Sequence, residues 1–154
     1  MWIRVALLSF GLSLGIGIAC GPPCPPGGCG CVGPDCGCPG GMCECTGGEC
    51  VCPDNEPCGL DCASSCDLQC AGSGSCEFVC GDDCEVACTG SGDCAIDVGP
   101  GSSVVCSGSG NCDIVCHGPC VADCPGSGDC EVDCPADLGP AQACGDLLVC
   151  GPCP

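Results

Sequence analysis

Residues 66–137 read as four copies of one 18-residue unit. The copies are CDLQCAGSGSCEFVCGDD from Cys66, CEVACTGSGDCAIDVGPG from Cys84, SSVVCSGSGNCDIVCHGP from Ser102 and CVADCPGSGDCEVDCPAD from Cys120. Each copy is strand, five-residue turn, strand and three-residue turn, with Cys expected at unit positions 1, 5, 11 and 15. Within a strand, Cys, an apolar residue and Cys point one way, as in Cys84-Val86-Cys88. The residues between them point the other way and are often acidic, as at Glu85, Asp113, Glu131 and Asp133. Period two with one apolar face is a half-buried strand. The apolar centres pair as Leu68 with Phe78, Val86 with Ile96, Val104 with Ile114 and Ala122 with Val132. Gly at unit positions 7 and 9 is expected to supply positive-φ turns. A fixed period this short, with two strands and two turns per copy, predicts a β-solenoid whose coils add parallel rungs at about 4.8 Å.

Working outward, Cys58-Gly-Leu-Asp-Cys62 fits positions 11 to 15 of an earlier unit, and Cys52 fits its position 5. Before it, Cys29, Cys36, Cys43 and Cys50 each open a seven-residue unit filled out with Gly and Pro. These read as tight turns with no apolar face to bury. Residues 20–28 are a Pro/Gly tether. Residues 138–154, with Leu147, Leu148 and Val149, look like a cap over the open end of the stack. The expected division is signal 1–19, tether 20–28, Cys-x-Cys module 29–51, solenoid 52–137 and cap 138–154. The fold class is all-β: a small disulfide-stapled β-solenoid with two short strands per coil, preceded by a Cys-rich loop module.

An irregularity in the repeat assigns the disulfides. Position 15 of the second copy is Val98 and position 1 of the third is Ser102, so the two missing Cys flank a single turn. Bonds that close turns lose both partners together there; bonds running between coils leave orphans. A disulfide wants Cα atoms about 5.5 Å apart, which suits the neck of a turn, whereas packed sheets stand about 10 Å apart. The predicted bonds are Cys52–Cys58, Cys62–Cys66, Cys70–Cys76, Cys80–Cys84, Cys88–Cys94, Cys106–Cys112, Cys116–Cys120 and Cys124–Cys130. Cys144 and Cys150 repeat the five-residue spacing, which pairs them and leaves Cys134 for Cys153. The connectivity of residues 24–50 stays open.

Composition explains why staples are needed. Of 154 residues, 29 are Cys and 29 Gly, and Phe78 is the one aromatic after the first ten residues. Such a chain cannot pack an ordinary core, so cross-links must replace it. The net charge of −19 excludes nucleic acid or an anionic membrane surface as partner. Met1 to Arg4 carries the single base, Val5 to Ile18 is an apolar run, and Ala19 precedes Cys20. That is the layout of a secretory signal, too short for a transmembrane helix. Export brings an oxidising environment, in which Cys-rich chains form disulfides.

Gly17-Ile18-Ala19-Cys20 resembles the lipobox of bacterial lipoproteins. The resemblance implies lipidation of Cys20, a membrane partner through that anchor and, from Gly21, outer-membrane sorting; plain cleavage near Ala19 is the alternative. Removing Cys20 from the count leaves an even number of Cys. Signal, terminal Cys, Pro/Gly tether and tandem C-x-G-S-G-x-C-x-V-x-C units together resemble the cysteine-rich repeat lipoproteins common in myxobacteria. That resemblance implies the address and the repeat, and it contributes no catalytic residue.

Other readings are weaker. The Cys-x-Cys units from Cys29 to Cys52 resemble metallothioneins, whose thiolates wrap soft metals. Export and the lack of Lys oppose that reading, so no metal site or cofactor is assigned. The TGSGD and PGSGD turns resemble calcium β-rolls, but the ligand position is held by Cys94, Cys112 or Cys130. Ice-binding β-helices use rows of Thr, and this chain has only Thr46 and Thr89. Cys150-Gly-Pro-Cys153 matches the thioredoxin tetrapeptide without its βαβ context. His117 is the sole His and sits in a HGP turn, so no enzyme is expected and no catalytic residue is assigned. The leading expectation is a non-catalytic, rigid, acidic envelope protein with a structural or adhesive role. Soft-metal sequestration is the alternative.

Overall fold

Buried and exposed residues alternate along the repeat strands of the computed structural model, which describes residues 29–30, 42–45, 48–52, 55 and 57–154. The expected signal, Cys20 and the tether lie outside the described residues. In chain order the strands are β1 Cys29–Gly30, β2 Met42–Cys45, β3 Gly48–Cys52, β4 Cys58–Ser64, β5 Cys66–Cys70, β6 Cys76–Asp82 and β7 Glu85–Cys88. They continue with β8 Cys94–Val98, β9 Ser103–Cys106, β10 Cys112–Cys116, β11 Cys120–Asp123, β12 Cys130–Asp133, β13 Gln142–Cys144 and β14 Leu147–Cys150. No helix occurs among the described residues.

Successive strands go alternately to two sheets. One runs β1-β3-β5-β7-β9-β11-β14-β13, the other β12-β10-β8-β6-β4-β2. Every coil-to-coil pairing from β2 to β12 is parallel; β2 and β4 are offset by 17 residues and all later pairs by one 18-residue repeat, so Leu68 faces Val86 and Phe78 faces Ile96. The chain is a β-solenoid of about five coils.

The interior is two columns of side chains, one from each sheet. Cys50, Leu68, Val86, Val104 and Ala122 form one; Leu60, Phe78, Ile96, Ile114 and the half-buried Val132 form the other. A single residue per sheet per coil is a thin core, and the disulfides widen it on both sides. Cys70–Cys76, Cys88–Cys94 and Cys106–Cys112 close the GSG turns with Cα atoms 6.4, 6.6 and 6.5 Å apart. Cys124–Cys130 closes the fourth GSG turn, and Cys52–Cys58 the equivalent turn before the first. Cys62–Cys66, Cys80–Cys84 and Cys116–Cys120 close the three-residue turns at 6.5, 6.4 and 6.2 Å. These are the eight turn-closing pairs that the repeat predicts.

At the gap in the pattern, Val98 and Ser102 are both buried. Ser102 Oγ accepts from the Cys84 amide at 3.1 Å and donates to the Gly81 carbonyl at 3.4 Å, so its hydroxyl is satisfied where a sulfur would otherwise stand. The double substitution Val98→Cys, Ser102→Cys is expected to close a further disulfide, seen as no added free thiols in the intact protein. Loop closure contributes about 2 kcal/mol and the lost hydrogen bond costs about 1 kcal/mol, so the melting temperature rises slightly.

Three expectations need correction. The spine glycines Gly90, Gly92, Gly108, Gly110, Gly126 and Gly128 do not have positive φ. They are small because each lies against the backbone of the preceding coil. Positive φ falls instead at the end of the three-residue turn, at Ser65, Asp83 and Gly101. Next, Cys144–Cys150 and Cys134–Cys153 do not form; the bonds are Cys134–Cys150 and Cys144–Cys153. The reason is strand direction. The cap strand β14 runs antiparallel to β11 and sets Cys150 opposite Cys120, so Cys150 supplies the turn-neck partner that Leu138 cannot. Finally, the solenoid does not begin at Cys52. β2 and β3 already pair in parallel with β4 and β5, and Cys45–Cys50 places a disulfide on the Leu68 column, closing the interior.

Candidate functional surface

The outward positions of the even-numbered sheet carry carboxylates in a staggered pattern. One ladder reads Met42, Gly59, Glu77, Ala95, Asp113, Glu131, and its neighbour Glu44, Asp61, Val79, Asp97, Val115, Asp133. From Asp61 to Asp113 the acids alternate between the two ladders from rung to rung, whereas Glu44 with Asp61 and Asp113 with Glu131 stand on consecutive rungs at the two ends. Like charges directly opposite in a sheet destabilise it. Skipping a rung sets equal charges about 9.6 Å apart, close to the screening length of physiological salt. His117 Nε2 reaches Asp97 Oδ1 at 2.6 Å on this exposed face, pairing with a carboxylate one coil away.

The other sheet departs from the stagger near its start. Glu49, Asp67 and Glu85 occupy consecutive rungs. Gln69 bridges two of them, its Nε2 donating to Glu49 Oε1 at 3.1 Å and to Asp67 Oδ1 at 3.4 Å. The side-chain amide thus relieves the crowding with hydrogen bonds rather than with charge.

A third ladder runs along the GSG turns. The amide of Asn111 donates to Asp93 Oδ1 at 2.9 Å, and that of Asp129 to Asn111 Oδ1 at 3.0 Å. Asp93, Asn111 and Asp129 stand one residue before the ligand position of a calcium β-roll, and the side-chain oxygens of Asp93 and Asn111 cap the amides of the next coil. Beside them Asn55, Ser73, Ser91, Ser109 and Ser127 line a shallow open trough along the spine. Ser73 donates to Asn55 Oδ1 at 2.7 Å, continuing the same coil-to-coil logic.

Sulfur atoms from neighbouring coils also approach one another. Cys45, Cys62 and Cys66 form one triplet within 4.8 Å, Cys88, Cys94 and Cys112 a second, and Cys116, Cys120 and Cys150 a third. Each of these sulfurs is held in a disulfide. The CGPC tetrapeptide is likewise split between two bonds, Cys150 to Cys134 and Cys153 to Cys144. What sequence reasoning missed is the turn ladder of side-chain caps; its signal was the recurrence of Asp93, Asn111 and Asp129 at one unit position.

None of the family models, curated proteins or solved structures compared with the chain matches it.

Proposed function

We propose that the protein is a non-catalytic structural element of the cell envelope, a stiff acidic rod tethered through lipid on Cys20. The observation that carries this reading is the unbroken disulfide-stapled parallel stack with charge spread over its outer rungs. Its longer sheet holds eight strands, which at about 4.8 Å per step span about 34 Å. The disulfide-rich solenoid fits a structural role, and disulfides in this number belong to an oxidising compartment. A surface that repeats one charge pattern per coil presents the same chemistry along its length, which suits spacing or adhesion better than recognition of one small molecule. The resemblance of residues 17–20 to a lipobox, and of the repeats to myxobacterial cysteine-rich lipoproteins, supplies the anchor.

Cys20→Ser tests the anchor. The wild-type protein is expected in the membrane fraction with acyl mass on Cys20, and the variant in the soluble fraction without it. Equal partition of the two overturns the lipid tether while leaving the rod.

The sulfur triplets favour a second reading, soft-metal sequestration by the reduced chain. Intact mass and thiol count of protein taken from the envelope separate the two. Absence of free thiols supports the rod; abundant thiols with zinc or copper released on acidification support the metal store.

A further inference from the structure

We propose that the cap is a thiol-operated latch, in which the Cys150-Gly-Pro-Cys153 segment converts reduction of one exposed disulfide into loss of the staple that ties the β13–β14 hairpin to the coils. The two cap disulfides differ sharply in access. Cys144–Cys153 is the one disulfide among the described residues with an exposed partner, Cys153. Cys134–Cys150 is shielded, with Cys150 fully buried and Cys134 half-buried. An external thiol therefore meets the first bond and not the second.

The tetrapeptide links them. Cys153 lies three residues beyond Cys150, and between them Gly151 takes a φ of 112° that bends the chain. The chemistry proceeds in two balanced steps. A dithiol reductant attacks Cys144–Cys153 and is itself oxidised to its disulfide, leaving a thiol on Cys144 and a thiolate on Cys153. The Cys153 thiolate then attacks Cys150 Sγ; the Cys150–Cys153 bond forms, the Cys134–Cys150 bond breaks, and Cys134 leaves as a thiolate that takes a proton from water. Two electrons enter, one disulfide is lost, and Cys134–Cys150, the one disulfide that ties the cap to the coils, has been exchanged for a bond inside the cap. The hairpin is then held by the β11–β14 ladder, Cys120 to Asp123 against Cys150 to Leu147, without a staple to the coils beneath.

Acid-specific cleavage reads the outcome, because Asp133, Asp137 and Asp146 divide Cys134, Cys144 and the Cys150/Cys153 pair among three peptides. Dithiothreitol is raised against the intact oxidised protein until the first thiols appear, and the sample is acid-quenched, alkylated and cleaved. The expected result is label on Cys134 and Cys144 together, with an internal disulfide in the peptide carrying Cys150 and Cys153. Label on Cys144 and Cys153 with Cys134–Cys150 intact overturns the latch, as does first label in the solenoid coils. A second variant keeps the test independent of the first. In Cys144→Ala, Cys153→Ala, Cys134–Cys150 is expected to reduce about tenfold more slowly than in the wild type, for want of an internal attacking thiolate. An unchanged rate overturns the proposal.

Discussion

Gly90→Ala is expected to break the stack. A Cβ there lands on the carbonyl oxygen of Gly72 in the preceding coil and sits 2.9 Å from its carbonyl carbon. The obstacle is backbone, so no rotamer change relieves it, and the coils must separate. Separation strains the Ser91 amide bond to the Gly72 carbonyl, 3.0 Å long in the native stack, and the ladder on either side of it. The loss is expected to reach about 3 kcal/mol or more, at the upper end of single substitutions. Thermal melting followed by β-sheet circular dichroism measures it. Ser91→Ala, one residue away and exposed, is expected to stay within about 0.5 kcal/mol. Equal melting of the two variants would show that the coils do not rest on the glycine spine.

Complete reduction is the second large effect. The buried set is dominated by half-cystines, with one apolar residue per rung between them. In the chain-entropy model each short loop contributes about 2 kcal/mol, while an ordinary domain stands only about 5–15 kcal/mol above its unfolded state. Eleven such bonds among the described residues therefore outweigh the net stability of a typical fold. The reduced and alkylated chain is expected to lose its β-sheet circular dichroism at 25 °C. A reduced chain that keeps it would show that the two apolar columns suffice.

Most of the stack was legible because the repeat is its own internal alignment. The paired loss at Val98 and Ser102 told turn-closing bonds from coil-to-coil ones, and the alternation of Glu85, Val86 and Ala87 assigned inside and outside. Legibility failed where the period failed. Cys134 continues its column, but the position that should answer it is Leu138, and only an antiparallel strand brings Cys150 into that place. Spacing cannot reveal a reversal of chain direction. At the other end, the seven-residue spacing of Cys29 to Cys50 concealed the longer frame. Cys45 keeps step with Cys62, yet its bond goes to Cys50 because Gly48 stands where Cys would be. The spine glycines are legible by position but not by cause: the sequence shows that a side chain is missing, and only the neighbouring coil shows what fills its place. Of the surface, outward acids were readable from alternation, whereas the Asp93–Asn111–Asp129 caps depend on distances that no single copy contains.

The contact at Gly90, made on Gly72, is made again by Gly108 on Gly90 and by Gly126 on Gly108. Every boundary between these repeats is therefore the same joint. A whole unit of 18 residues added or removed at any of them would restore the same apposition on both sides, whereas a single residue inserted within a strand would turn its inward side chains outward. Such a chain changes its reach only in whole increments of about 4.8 Å. It behaves as a ruler whose graduations are gene duplications.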